Sequence, residues 1–309
     1  MIVVSGAAGF IGSALVRRLL EEGEEVLALD NFLSGSRRNL EPLLGEPRLR
    51  LLEHDVTNPL EVPGKVEGVL HLASLASPVF YRRHPVETLL SGALGTLNML
   101  RLAAEKKARF LFTSTSEIYG DPEVHPQPED YHGNVDPTGP RSMYDESKRF
   151  GEALTSAFGR RGVDAVIARI FNTYGPGMRA DDGRVVPAFI TRALAGRDLE
   201  VHGDGSQTRS FCYIDDMVEG LLLLFRSRLS GPFNLGNPEE VSILELARRI
   251  IRLCGSPSGI VHVERPPQDP GRRRPDISRI RRELGWQPRV PLDEGLRKTI
   301  EYYRAQRGS

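Results

Sequence analysis

The chain has little of several things that would mark out whole classes of protein. Cysteine is scarce: Cys212 and Cys254 are the only two in 309 residues. Neither sits in a metal-ligand spacing, which argues against a disulfide framework and against a cysteine-based metal site. No charge of one sign prevails, since Lys+Arg and Asp+Glu stand at 41 each. No bulk field therefore points to nucleic acid or to an anionic membrane. Long apolar runs are lacking too. Leu221 to Phe225 is far too short to span a bilayer, and MIVVSGAAGFIG has no basic leader of the signal-peptide kind. Repeats and low-complexity tracts are missing. These absences lead us to expect a soluble cytoplasmic protein with no metal, nucleic-acid or membrane partner, long enough for one large or two modest domains.

What is present begins at the first residue. Met1 to Val4 reads as a buried parallel strand, GAAGFIG follows with Gly6, Gly9 and Gly12, and SALVRRLLEEG reads as a helix stopped by Gly23. EEVLALD is a second strand ending at Asp30. Strand, glycine turn, helix, strand and acid in that order predict a dinucleotide site. The glycines let the backbone approach a pyrophosphate at the positive end of the helix, with Phe10 and Ile11 inside the turn. The spacing is G-x-x-G-x-x-G, which differs from the G-x-G-x-x-G form. Asp30, with Asn31 after it, is placed to accept hydrogen bonds from an adenosine ribose and to repel a 2′-phosphate. NAD is therefore expected over NADP, although Arg37 and Arg38 nearby could hold that phosphate.

The pattern continues as a doubly wound parallel sheet of the Rossmann type. LRLLEHDVTN is a third strand that brings Asp55 and Val56 toward the adenine. VEGVLHLAS is a fourth, ending at Leu72 and Ala73 beside the nicotinamide side. SPVFYRRHP reads as a loop with candidate substrate contacts. Glu87 to Lys106 reads as one long helix, ARFLFTSTS as the fifth strand, Asp145 to Arg160 as a helix, and VDAVIARIFNTYGP as the sixth strand. Residues 1–175, with a return segment at about 214–237, are expected to form the cofactor-binding domain. A smaller substrate-binding lobe is expected from 176–213 and 238–309.

TSTSEIYG and PRSMYDESKR carry the chemistry. Ser116 and Glu117 fall at the end of the fifth strand, and Tyr144 and Lys148 lie four apart on one helix face. A lysine beside a tyrosine favours the phenolate, so the pair predicts proton transfer with the Tyr144 pKa lowered by Lys148. His71, His54 and Cys212 read as satisfied or core groups.

At this point the chain resembles the extended short-chain dehydrogenase/reductase superfamily that modifies nucleotide sugars, over essentially its whole length. Within it, the chain looks most like the UDP-glucuronate decarboxylases (UDP-xylose synthases). The resemblance rests on HLASLASPVFYRRHP, TSTSEIYGDPEVHPQPEDYHGNVDPTGPRSMYDESKR, ARIFNTYGPGMRADDGRVV, GDGSQTRSFCYIDDMVEG and RRRPDISRIRRELGW. It implies that Tyr144 and Lys148 are the catalytic pair and that Thr115, Ser116 and Glu117 form the family's Thr-Ser-Glu motif. Dehydratases carry an Asp-Glu pair there, and epimerases usually lack the Glu. It further implies substrate contacts at Tyr81, Asn172, Arg184, Arg209 and Arg273, the two last clamping the diphosphate of a UDP-sugar, and a homodimer packed through the 87–106 and 145–160 helices. Leu75, Gly92, His132 and Ser147 depart from the family's usual proline, asparagine, tryptophan and glycine or alanine. A UDP-hexose 4-epimerase, a dTDP-glucose 4,6-dehydratase, or a catalytically silent NAD-binding regulator on the same fold are the alternatives.

Overall fold

The computed structural model describes residues 1–264 and 272–307. Its first half alternates strand and helix: β1 (Ile2–Ser5), α1 (Phe10–Glu21), β2 (Val26–Asp30), β3 (Leu49–Glu53), β4 (Gly68–His71), α2 (Pro78–Arg83), α3 (Pro85–Leu90), α4 (Thr96–Lys106), β5 (Arg109–Thr115), α5 (Ser142–Gly159) and β6 (Ala165–Ile170). Then come β7 (Thr173–Tyr174), α6 (Val185–Leu194), β8 (Leu199–His202), β9 (Thr208–Ser210), β10 (Cys212–Tyr213), α7 (Ile214–Arg226), β11 (Gly231–Leu235) and β12 (Glu240–Ser242). The chain closes with α8 (Ile243–Cys254), β13 (Ile260–Val263), β14 (Arg272–Arg273), α9 (Ser278–Leu284) and α10 (Leu292–Arg307).

Seven strands form one parallel sheet in the order β11-β6-β5-β4-β1-β2-β3. The inner strands are buried on both faces, as a sheet covered by helices requires, and the edge strand β3 is partly exposed. Successive side chains alternate between two cores. Ile2, Val4 and Leu111 join the core that holds the buried side of α7, while Val3, Phe110 and Phe112 join the one under α4. The strand order reverses between β1 and β4, and a crevice opens at their carboxyl ends, where ligands bind in sheets of this kind.

Three elements differ from expectation. SPVFYRRHP holds a helix, α2, begun by Pro78 in its first turn, where the missing N–H of proline costs nothing. The helix expected from Glu87 to Lys106 is α3 and α4 joined by a π turn over Ser91–Gly95. The expected sixth strand ends at Ile170: Phe171 N–H donates to Leu235 O at 2.8 Å, and Asn172 O accepts from Cys212 N–H at 2.9 Å, which turns the chain out of the sheet before β7. Among the described residues no helix is long and apolar enough to cross a membrane.

Candidate active site

A cavity of about 800 Å³ runs along the crevice. That is near the top of the range for small-molecule sites and suits a dinucleotide with a second ligand beside it. Its walls include the residues expected above to be catalytic or to hold cofactor and substrate, from Gly6, Asp30 and Asp55 at one end to Arg209 and Arg273 at the other.

The cofactor end is built from backbone and short side chains. Gly6 has φ +72°, a conformation that favours glycine, and a Cβ on Gly12 would lie 2.0 Å from the Gly6 carbonyl oxygen. The turn and the start of α1 are thus packed backbone against backbone, which leaves a cradle for a pyrophosphate. Asp30 accepts from Ala8 N–H and Phe32 N–H, both at 2.8 Å. Burial pushes its carboxyl up, and those two bonds oppose the shift. Asp55 accepts from Thr57 N–H at 2.9 Å, the Thr57 hydroxyl at 2.7 Å and the Asn31 amide at 3.0 Å. Burial works against its ionisation, but those bonds prevail and hold its pKa down. Arg37 lies 3.9 Å over the Phe32 ring and pairs with the exposed Glu53. These residues fit NAD.

The reacting end is built from side chains that arrive from separate elements. Lys148, buried, donates to Thr113 O at 2.8 Å and lies 5.1 Å from the Phe112 ring centre. Burial pulls its pKa down to about 7, against the opposing field of Glu152 one turn further on. Tyr144 stacks on Tyr81 with ring centres 5.4 Å apart and planes 10° apart. The phenol hydrogen-bonds the Thr115 side chain. The expectation that Lys148 lowers the Tyr144 pKa is corrected here. Burial pushes the phenol up, Glu117 and Asp145 add to the shift, and the Thr115 bond is what opposes it.

Glu117 follows β5 in a short 3₁₀ turn, where Thr115 Oγ1 accepts from Glu117 N–H at 3.2 Å. Its carboxylate pairs with both Arg141 and Arg273. Burial opposes ionisation, but the two guanidiniums outweigh it, so Glu117 is held below the usual carboxylate range. Arg273 is 4 % exposed and also donates to Gly120 O at 3.0 Å. Its guanidinium therefore sits at the Thr115–Glu117 end, and the expected diphosphate clamp does not describe its contacts. Arg209 lies on β9 and donates to Thr208 O at 2.8 Å. Arg184 pairs with buried Asp182 at the start of α6. Asn172 lines the cavity between β6 and β7, and Ser116 is buried in its wall.

Two residues of this end went unread in the sequence. Arg141 stands in the quoted GPRS, three residues before the tyrosine, which is one helical turn. Asp145 follows Tyr144 and is 6 % exposed, and its Oδ1 has no hydrogen-bond partner among the described residues. Burial, then the charge of Glu117, pushes it up to about 7, with Arg141 and Arg273 pulling the other way. His71 is satisfied as expected, 2.7 Å from Ser5 Oγ and 3.1 Å from Thr96 Oγ1, and burial pulls its pKa down to about 3. Cys212 is core. Gly92 and Ser147, two of the family departures, pack on each other: a Cβ on Gly92 would lie 2.5 Å from Ser147 Cβ. Among the described residues no group of three or more His, Cys, Asp or Glu could hold a metal ion.

Comparison with known proteins agrees with this architecture. Residues 2–236 match the NAD dependent epimerase/dehydratase family. The chain is 52% identical over 305 residues to UDP-glucuronic acid decarboxylase 3 of Arabidopsis thaliana, covering 98% of this chain and 89% of the relative. It is 50% identical to UDP-glucuronic acid decarboxylase 1 of Xenopus tropicalis, covering 99% of this chain and 72% of that protein. Among solved structures, a UDP-glucose 4-epimerase from Thermotoga maritima, with UDP-glucose, superposes with a TM-score of 0.89 at 30% identity over 99% of both chains. A dTDP-glucose 4,6-dehydratase from Streptomyces venezuelae, with NAD bound, gives 0.89 at 29% identity over 99% of this chain and 98% of that one. On its seven-stranded sheet, its glycine turn and these matches, the chain belongs to the NAD dependent epimerase/dehydratase family.

Proposed function

We propose that the protein decarboxylates UDP-glucuronate to UDP-xylose through a 4-keto sugar. The observation that carries this reading is Glu117, ionised between Arg141 and Arg273 next to Thr115, Ser116 and the Tyr144–Lys148 pair. That arrangement provides cations for an acidic sugar, and Ser116 stands where the dehydratases carry the Asp of their Asp-Glu pair. The roughly 50% identity to decarboxylases supports it.

Bound NAD supplies the oxidation of C4 and the later reduction. The protein's own groups supply orientation and protons. Tyr144 takes the proton of the 4-hydroxyl as the phenolate, a form that the positive charge of an oxidised nicotinamide beside it would favour. Lys148, fixed on the Thr113 carbonyl, provides positive charge in the same wall. Oxidation at C4 makes the sugar a β-keto acid, so the ketone can accept the electrons of the bond to CO2. Tyr144 returns its proton to the enolate oxygen. Glu117, an anion and therefore a poor acid, orients the water through which C5 takes its proton. Arg273 and Arg141 keep Glu117 ionised and in place, Ser116 and Asn172 orient the sugar with Tyr81, and Arg209 and Arg184 face the diphosphate.

In this reading residues 1–175 with 214–237 hold the cofactor, and 176–213 with 238–309 hold the UDP-sugar. A homodimer is supported by Val86, Leu89, Leu90 and Leu94 and by Phe150, large apolar side chains left exposed on α3, the π turn and α5. Two free, buried cysteines suit the cytoplasm. The test is incubation with UDP-glucuronate, UDP-glucose and dTDP-glucose and product mass. Loss of CO2 from UDP-glucuronate alone is expected, and conversion of UDP-glucose to UDP-galactose without it would favour the epimerase reading.

A further inference from the structure

HPQPE, residues 125–129, belongs to the string that most resembles the decarboxylases, yet none of its side chains lines the cavity. Its middle residue, Gln127, is fully buried at 0 % exposure. It forms an isolated bridge with Pro275, two residues after Arg273. Gln127 N–H donates to Arg274 O at 2.9 Å, and Asp276 N–H donates to Gln127 O at 3.0 Å. The side chain adds three bonds: Arg274 N–H donates to Oε1 at 2.8 Å, and Nε2 donates to Val124 O at 2.7 Å and lies 3.4 Å from His125 Nδ1. Asn234, on sheet strand β11 and also at 0 % exposure, closes the far side. Its Nδ2 donates to Gln127 O at 2.9 Å and to Asp276 O at 3.0 Å, and its Oδ1 accepts from Tyr119 O–H at 2.8 Å.

The segment held this way presents Arg273 to the site. On its own it is weakly fixed, because β14 is a strand of two residues that, among the described residues, pairs with β9. Arg273 must nonetheless meet both Glu117 and Gly120 O. Gly120 lies on the run that leads to Gln127, so one segment supplies both the target of the guanidinium and the clamp on its backbone. We propose that Gln127 is a positioning residue: it sets the register of residues 273–276 so that Arg273 reaches Glu117. This rests on the reading of Glu117 and Arg273 in the C5 half of the reaction. It predicts that loss of the Gln127 side chain harms the decarboxylation half and spares the oxidation half, which depends on Tyr144, Lys148 and NAD.

The test is Gln127→Met, which keeps the volume and removes all three side-chain bonds, run beside the wild type on UDP-glucuronate. CO2 release is expected to fall about ten- to a hundredfold, the cost of a small misplacement at a reacting centre. NAD affinity, KM and the rate of NADH formation in the first turnover should stay within about threefold. Unchanged CO2 release, or equal loss in both halves, would overturn the proposal. Gln127→Glu keeps the oxygen that Arg274 N–H meets and should retain CO2 release within about fivefold. If the methionine variant does not fold, Gln127→Glu decides: a loss shared by CO2 release and first-turnover NADH formation overturns the proposal, and a fall in CO2 release with NADH formation unchanged supports it. No CO2 from the wild type would instead remove the decarboxylase reading, and the positioning role with it.

Discussion

The two ends of the cavity are made in different ways. The cofactor end comes from consecutive chain: a glycine turn, a helix start and two acids, each fixed by backbone bonds within a few residues or on the neighbouring strand. The reacting end comes from five distant stretches, at Tyr81, Thr115–Glu117, Arg141–Lys148, Arg209 and Arg273, held by charge and by long-range bonds. The first should be sensitive to sterics and insensitive to pH. The second should be sensitive to pH and to the loss of single functional groups.

Tyr144→Phe sharpens that contrast most. It should lower kcat by about 10²- to 10⁴-fold and leave NAD affinity within a factor of about two, measured by titration calorimetry. A comparable fall in NAD affinity would mean that the two ends are not separable.

Asp145→Asn comes next. The folded-state pKa of Asp145 is raised to about 7, above its value in an unfolded chain. Between about pH 4 and pH 7 the folded protein therefore holds a proton that the unfolded chain has released, and stability falls as pH rises through that window. The term is on the order of 4 kcal/mol at most. Denaturant unfolding across this range should show a shallower fall for Asp145→Asn than for the wild type, and parallel curves would refute the assignment.

Gly12→Ala breaks the other end. A methyl group 2.0 Å from the Gly6 carbonyl oxygen must displace backbone, at about 1–3 kcal/mol. NAD affinity should fall by roughly ten- to a hundredfold, with the same loss at low and high pH. A strongly pH-dependent loss would contradict the steric account. Arg37→Ala should do least: its partner is an exposed Glu53, and exposed pairs contribute little. NAD affinity should change less than about twofold, and a large loss of NADP binding would reassign the residue to the 2′-phosphate.

The same contrast explains what the sequence revealed. Sheet, glycine turn and Asp30 are local patterns, and periodicity with turn chemistry reports them. The π turn at Ser91–Gly95 was hidden because its apolar spacing continues that of the helices on either side. Gly92 alone suggests looseness, and only the packed structure pairs it with Ser147. Tyr144 and Lys148 could be placed by their spacing, but the direction of the Tyr144 shift depends on burial, which spacing does not encode. Arg273 lies 156 residues from Glu117, so the sequence carried the residue and not its partner.

The central claim is that one site oxidises, decarboxylates and reduces the same sugar. It is tested most directly by running the wild type on UDP-glucuronate in deuterated water, following CO2, nicotinamide absorbance and product mass together. The account predicts stoichiometric CO2, UDP-xylose carrying one deuterium at C5, and NADH that appears only transiently. Free NADH accumulating with a 4-keto pentose, or no CO2 at all, would contradict it.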